Sequence, residues 1–270
     1  MSAGNGAHAG RVACVTGASR GIGRAITAAL VDEGADVVML ARDPDVLARA
    51  AADLGEHAHP ISTDVSDPEA VRAAFKELAS AHGRLDVLVN NAGTSPLRRI
   101  ENLSDDEILT TVGCNLLGAV YTTREAIPLM RAAGRGDIVN ISSESSSMPF
   151  PFLGLYAASK AGLETFSKAA LAELKPFGIR VTTVVCGATA DTEWSRDWDA
   201  DEMAEFFEVT TASGHLAMVS AGAPQRPEDV ADVVRFVVTR PTGQMIDLIH
   251  ARSHSAVDPA NMVDQMLDRP

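Results

Sequence analysis

The chain has 270 residues, 46% of them hydrophobic and only 4% aromatic, enough for a large core of aliphatic side chains on a Val-rich sheet. Its formal net charge of −13 argues against nucleic acid as a partner, because phosphates require neutralisation by Lys and Arg. The start lacks the basic and apolar segments of a signal peptide, and no apolar run reaches the roughly 18 residues of a membrane span; a soluble, cytoplasmic protein with no membrane partner is expected.

In chain order, apolar runs alternate with helical patterns. Val12–Thr16 reads as a buried strand, Gly23–Glu33 as a helix ending near Gly34, Asp36–Leu40 as a strand and Pro44–Leu54 as a helix. Ala58–Ser62 is a short strand, Pro68–His82 a helix capped by Asp67 or Ser66, and Leu85–Asn90 a strand. Ser104–Ala133 reads as one long helix, opened by a Ser104/Glu107 capping box and kinked or shortened by Pro128. Asp137–Ser142 (strand), Tyr156–Leu174 (helix), Ile179–Val185 (strand), Pro227–Val238 (helix) and Met245–Ile249 (strand) complete the rhythm. Near-continuous apolar strands alternating with helices predict an α/β fold: a doubly wound, Rossmann-like parallel sheet of about seven strands, covered by helices on both faces. A single domain over 11–250 is expected, with a flexible N-terminus at 1–10, an acidic lid at 189–224 and a polar tail at 251–270. Cys14, Cys114 and Cys186 are far apart without CxxC spacing, and the seven His lack ligand spacing; no metal site is expected.

The turn after the first strand, Gly17-Ala18-Ser19-Arg20-Gly21-Ile22-Gly23, is where a doubly wound sheet meets its ligand. Gly17 and Gly21 permit tight backbone geometry, Gly23 permits close packing of helix on strand, and the helix N-terminus offers free N–H groups to a pyrophosphate. After the second strand an acid would select NAD and an Arg would accept the 2′-phosphate of NADP. Ala41 stands where the acid would be, Arg42 follows, and Arg20 is a second cation; NADP(H) is favoured, with Asp43 keeping NAD(H) open. Tyr156 and Lys160, four residues apart, share a helix face. A nearby ammonium lowers a phenol pKa, which suits Tyr156 to general acid/base work. Ser143, at the end of the fifth strand, is placed to hold a carbonyl oxygen.

Together these motifs resemble the short-chain dehydrogenase/reductase family, in its compact single-domain branch, over roughly residues 10–250. The resemblance implies that Asn115, Ser143, Tyr156 and Lys160 form a catalytic tetrad, with Lys160 on the nicotinamide ribose and Asn115 positioning a water. It implies further cofactor contacts from Asp64-Val65, from Asn91-Ala92-Gly93 and, after the sixth strand, from Gly187 and Thr189. Cys186 replaces the usual Pro there, and Asp191 falls where a Thr is expected. Ser145, Phe150, Phe152 and Leu153, between Ser143 and Tyr156, and Trp194 in the lid are pocket candidates. Trp198, Phe206 and Phe207 could wall the pocket or pack the lid, while the lid's many acids disfavour a strongly anionic substrate. The expected activity is NADP(H)-dependent carbonyl/alcohol interconversion on a small, neutral, mostly apolar substrate. The alternatives are an NAD-dependent alcohol dehydrogenase and a catalytically silent nucleotide-binding regulator. The resemblance also implies a homotetramer or homodimer formed through the helices carrying Asn115 and Tyr156.

Overall fold

The structure, a computed structural model, describes residues 7–192, 194–196, 198–214 and 224–253. Parts of the expected lid (193, 197 and 215–223), tail (254–270) and N-terminus (1–6) lie outside the described residues. Seven strands form one parallel sheet: β1 (Val12–Thr16), β2 (Asp36–Ala41), β3 (Ala58–Ser62), β4 (Val87–Asn90), β5 (Gly136–Ser143), β6 (Ile179–Cys186) and β7 (Leu248–Ala251). Their order is β3-β2-β1-β4-β5-β6-β7, and every pairing is parallel. The order reverses direction between β1 and β4, which opens a crevice beyond their carboxyl ends.

Among the described residues there are eight α-helices: α1 (Gly21–Asp32), α2 (Pro44–Leu54), α3 (Pro68–His82), α4 (Asp105–Val112), α5 (Gly118–Ala133), α6 (Gly154–Leu174), α7 (Ala200–Ala212) and α8 (Pro227–Val238). On one face α1, α2 and α8 bury Ile26, Leu30, Leu47 and Val234 against Val37, Met39 and Val89. On the other, α3, α5 and α6 bury Phe75, Leu78, Met130 and Leu174 against Leu40, Leu88 and Ile138. The strands are apolar on both faces because both faces are covered. A third cluster, of Leu97, Phe152, Leu153, Phe206 and Phe207, lies under α7.

Three expectations need correction. The long helix at Ser104–Ala133 is interrupted by a π-turn over Gly113–Leu117, not at Pro128, which sits inside α5. Gly113 opens that turn and Gly118 follows it, and a side chain at Gly118 would collide with Val65. The last strand starts at Leu248 rather than Met245, because residues 246 and 247 meet β6 through Thr182 Oγ1–Ile246 and Thr183 N–Asp247 carbonyl bonds before regular pairing begins. Strand β4 starts at Val87, since Asp86 turns its carboxylate back to Val12 N–H.

Candidate active site

A cleft of about 620 Å³ opens along the carboxyl ends of the strands. One end is formed by the glycine turn. Gly17 and Gly21 have φ of 65° and 51°, in the left-handed region that favours glycine. Thr16 and Asn91 bind this turn to the end of β4. The Thr16 hydroxyl accepts the N–H groups of Asn91 and Ala92 at 2.9 and 3.0 Å. Asn91 Nδ2 donates to the carbonyls of Thr16 and Gly17 at 2.9 and 3.3 Å. Asn91 therefore spends its amide nitrogen on the shape of the turn.

The first helix is left open toward an anion. Helices α2, α3 and α4 are capped by Asp43, Asp67 and Ser104, each with acids in its first turn. Helix α1 has no side-chain cap and no acid in its first turn. Its N–H groups and dipole point to a ligand phosphate. Arg20, Ser19, Ile22, Arg42, Asp64 and Val65 line the same end of the cleft. Asp43, the residue that kept NAD open, gives Oδ1 to the N–H groups of Asp45 and Val46, both at 3.0 Å. Asp64 Oδ1 accepts from Ser66 N–H and hydroxyl at 2.9 and 2.7 Å. These residues fit a nicotinamide dinucleotide.

At the other end, β5 delivers Ser143 and α6 delivers Tyr156 and Lys160. The Ser143 hydroxyl faces Tyr156 and donates to Ser145 Oγ at 3.2 Å. Ser145 N–H donates to Ser143 Oγ at 3.2 Å. Lys160 Nζ donates to the Ile141 carbonyl at 2.8 Å and lies 5.8 Å from the Tyr156 ring centroid. Burial lowers the Lys160 pKa and raises that of Tyr156 to about 12, the nearby Ser143 hydroxyl only partly opposing the latter. The expected lowering of the phenol pKa is therefore not achieved by the protein's own groups. The cause is that Tyr156 lies under Trp194, ring centroids 5.2 Å apart, while the ammonium is turned to a backbone carbonyl.

Asn115 stands in the π-turn and is 1% exposed, behind the cleft wall. Its Oδ1 accepts Thr94 N–H at 2.8 Å, and its Nδ2 donates to the Thr94 carbonyl and Ser159 hydroxyl, both at 2.9 Å. It thus ties the loop after β4 to α6 at Ser159, the residue before Lys160. Single-turn π-bulges recur at functional sites, where they re-aim a side chain. Gly93 keeps this corner open: a side-chain carbon there would stand 3.5 Å from both Asn115 Oδ1 and Lys160 Nζ.

Ser145, Phe150, Leu153 and Trp194 line the cleft, with Gly187 and Thr189 on the loop after β6. Phe152 does not: it has φ of 66° and faces the apolar cluster, edge-on to Phe206 at 6.1 Å. Phe206 and Phe207 both pack the lid and reach the cleft. Trp198 meets Trp194 edge to face, ring centroids 4.6 Å apart, and donates to the Ser95 carbonyl at 2.9 Å. Sequence reasoning missed Glu144, a buried carboxylate that lines the cleft immediately after Ser143. Its place one residue beyond the end of the fifth strand was the available signal.

The family model for short chain dehydrogenases matches residues 11–203. The chain is 31% identical over 244 residues to 2,3-dihydro-2,3-dihydroxybenzoate dehydrogenase of Bacillus subtilis, covering 87% of this chain and 92% of that one. Its fold is similar to that of a metagenomic short-chain oxidoreductase in complex with NADP, with TM-score 0.76 and 31% identity over 93% of this chain and 100% of the other. A 3-ketoacyl-(acyl-carrier-protein) reductase from Brucella melitensis complexed with NADH gives 0.76 and 28% over 90% and 98%. The chain belongs to the short-chain dehydrogenase/reductase family, a class of oxidoreductases that use a nicotinamide cofactor. Among the described residues no helix is long and apolar enough to cross a membrane, and no cluster of His, Cys, Asp and Glu could hold a metal ion.

Proposed function

We propose that the protein is an NADP(H)-dependent reductase or dehydrogenase that interconverts a ketone or aldehyde with an alcohol. The observation that carries this reading is one cleft with the glycine turn at one end and Ser143, Tyr156 and Lys160 at the other. The cofactor supplies a hydride donor or acceptor. Ser143 holds the substrate oxygen. Tyr156, kept protonated by burial, gives its proton to that oxygen during reduction and takes it back during oxidation. Lys160 orients the cofactor ribose and is the nearest cation to the phenol. Asn115 holds Thr94 and, in this reading, a water on the path to Lys160. Asp64, Val65, Ala92, Gly93, Gly187 and Thr189 border the cofactor.

Arg42 and Arg20 at the cleft, and an Asp43 that caps α2, support NADP(H) over NAD(H). Phe150, Leu153, Trp194, Trp198 and Phe206 support a mostly apolar, neutral substrate. The exposed Leu109 and Leu117, on α4 and the π-turn, support a dimer or tetramer formed along this stretch. The test is side-by-side titration of the purified protein with NADPH and NADH, followed by cofactor fluorescence. Tighter binding of NADPH, by about tenfold or more and lost in Arg42→Ala, is expected for a charge-assisted phosphate contact. Equal or tighter binding of NADH refutes the assignment of Arg42.

A further inference from the structure

Helix α6 grips the end of β5 at one residue after another, and one of these joints involves a side chain with no role so far. Asn140 Nδ2 donates to Ser167 Oγ at 2.8 Å, and Lys160 Nζ donates to the Ile141 carbonyl at 2.8 Å. The Ser142 hydroxyl donates to Glu164 Oε1 at 2.6 Å, and the Ser143 hydroxyl faces Tyr156. Ser146, at the end of the short turn Glu144–Ser146, returns to the same Glu164 Oε1 at 2.5 Å. Tyr156, Lys160 and Glu164 follow one another at intervals of four, so they form one stripe of α6. That stripe faces β5 along its length.

Glu164 closes a loop. A carboxylate oxygen only accepts, and lengths of about 2.5–2.7 Å are those of the stronger O–H···O bonds made to carboxylates. One oxygen that takes both hydroxyls draws residues 142 and 146 together, and Ser143 lies between them. Inside the loop, Ser143 Oγ accepts Ser145 N–H at 3.2 Å. The Glu144 carbonyl accepts Ser147 and Met148 N–H at 3.1 and 2.9 Å. Ser142 is 2% exposed, so removal of Glu164 strands a buried hydroxyl. Neither Glu164 nor Ser146 lines the cleft, so the carboxylate reaches the chemistry only through the loop it closes.

We propose that Glu164 is a positioning residue: by closing residues 142–146 on one carboxylate oxygen it fixes the Ser143 hydroxyl against Tyr156, so that a substrate oxygen meets both groups at once. The proposal rests on the oxidoreductase reading only for the reaction that Ser143 and Tyr156 serve. The loop closure itself stands on its own hydrogen bonds.

Two readouts separate closure from chemistry. The first is amide exchange at Ser145, Ser147 and Met148, followed by NMR on the full chain without substrate. In Glu164→Ala it should be at least about tenfold faster, the factor of about one lost hydrogen bond. In Glu164→Gln, whose carbonyl still accepts, it should be intermediate. Ser146→Ala deletes one of the two hydroxyls, should act in the same direction, and decides the matter if Glu164→Ala does not fold. Amides of β1 and α1, and NADPH affinity read by fluorescence, should be unchanged. Unchanged exchange at the three amides, or faster exchange spread evenly over the chain, overturns the proposal. The second readout is NADPH oxidation with a panel of small cyclic and aryl ketones. Glu164→Ala should lose about ten- to a hundredfold in kcat, the scale of a misplacement of about 1 Å, while KM for NADPH stays within about twofold. Glu164→Gln should recover part of that loss. A wild-type kcat in Glu164→Ala, or a Gln variant no better than the Ala variant, overturns the positioning role. Local exchange as expected, without turnover of any ketone by the wild type, leaves the loop closure standing and removes the oxidoreductase reading; turnover insensitive to Glu164 does the reverse.

Discussion

Gly23→Ala is a sharp test of how the cofactor end is built, because a single methyl group would enter a space with no slack. Gly23 is the third residue of α1, directly against the glycine turn. A side-chain carbon there would overlap the Gly17 carbonyl oxygen and stand 2.6 Å from Asn91 Nδ2. Ordinary contact begins at 3.4 Å, so Asn91 would have to retreat by about 0.8 Å. The Gly17 carbonyl belongs to the backbone and cannot swing away. Overpacking of this kind costs about 1–3 kcal/mol. Displacing Asn91 also weakens its bonds to the Thr16 and Gly17 carbonyls, worth about 1 kcal/mol more. The total, about 2–4 kcal/mol, corresponds to a fall in Tm of about 4–16 °C for a chain of this size. NADPH affinity should fall at least about tenfold, since the N–H groups of α1 move with the turn. Calorimetry and cofactor fluorescence read the two effects. Gly154→Ala, at the start of α6 with nothing within 4 Å of its added carbon, is the control and should leave Tm unchanged or slightly raised. A Gly23→Ala protein with wild-type Tm and wild-type NADPH affinity would refute the reasoning.

Two further outcomes follow from buried ionisable groups. Burial raises the Asp86 pKa, but the Arg84 guanidinium and Val12 N–H outweigh it and hold the pKa below its usual value. A depressed carboxylate pKa stabilises the fold fully above the unfolded value of about 3.9, and that stabilisation is lost as pH falls through the folded pKa. In urea unfolding, Asp86→Asn should be less stable than wild type by about 1–3 kcal/mol at neutral pH, and the gap should close below about pH 4; a gap independent of pH sinks the assignment. The chain has only two tyrosines, Tyr121 and Tyr156. With the Tyr156 pKa raised to about 12, the 295 nm difference between wild type and Tyr156→Phe should show no phenolate step below about pH 11. A Tyr156 step below about pH 10 in the protein alone contradicts the burial argument.

Much of the fold was legible because local and tertiary preferences agree. The bounds expected for β1, β3, α2 and α3 are those observed. Asp43-Pro44 and Asp67-Pro68 announce both helix starts chemically, and their carboxylates do cap α2 and α3. The π-turn at Gly113–Leu117 was hidden, because its cause lies elsewhere in the chain. Asn115 is held by Thr94 and Ser159, 21 and 44 residues away, and helical periodicity carries no trace of them. Phe152 was read as a pocket wall from its position between Ser143 and Tyr156. Its left-handed backbone turns the ring away, and a tertiary cluster holds it there. Asp43 could be read two ways, and only the cap geometry says where its Oδ1 goes. The motif residues of the site were readable because they occupy strand ends and helix starts. Glu144 was missed because its environment is made by β6 and by Arg252.

The lid shows how a residue count and a surface can part. Its acids are numerous, yet those described are directed away from the cleft or already engaged. Asp199 caps α7, Glu202 pairs with Arg98, and Glu205 Oε1 takes Arg99 Nε at 2.9 Å. Asp191, Asp201 and Glu208 are exposed. What the lid's described residues turn inward is Thr189, Thr192, Trp194, Arg196, Trp198, Phe206 and Phe207, none of them acidic. The negative charge therefore acts at the outer rim, where it disfavours the approach of an anionic carrier. In the proposed function, selection among small molecules falls instead to the aromatic wall and the polar groups facing it. In the proposed reaction Tyr156 and Lys160 serve the reacting oxygen and the cofactor, and the aromatic wall of Trp194, Trp198 and Phe206 faces the rest of the substrate.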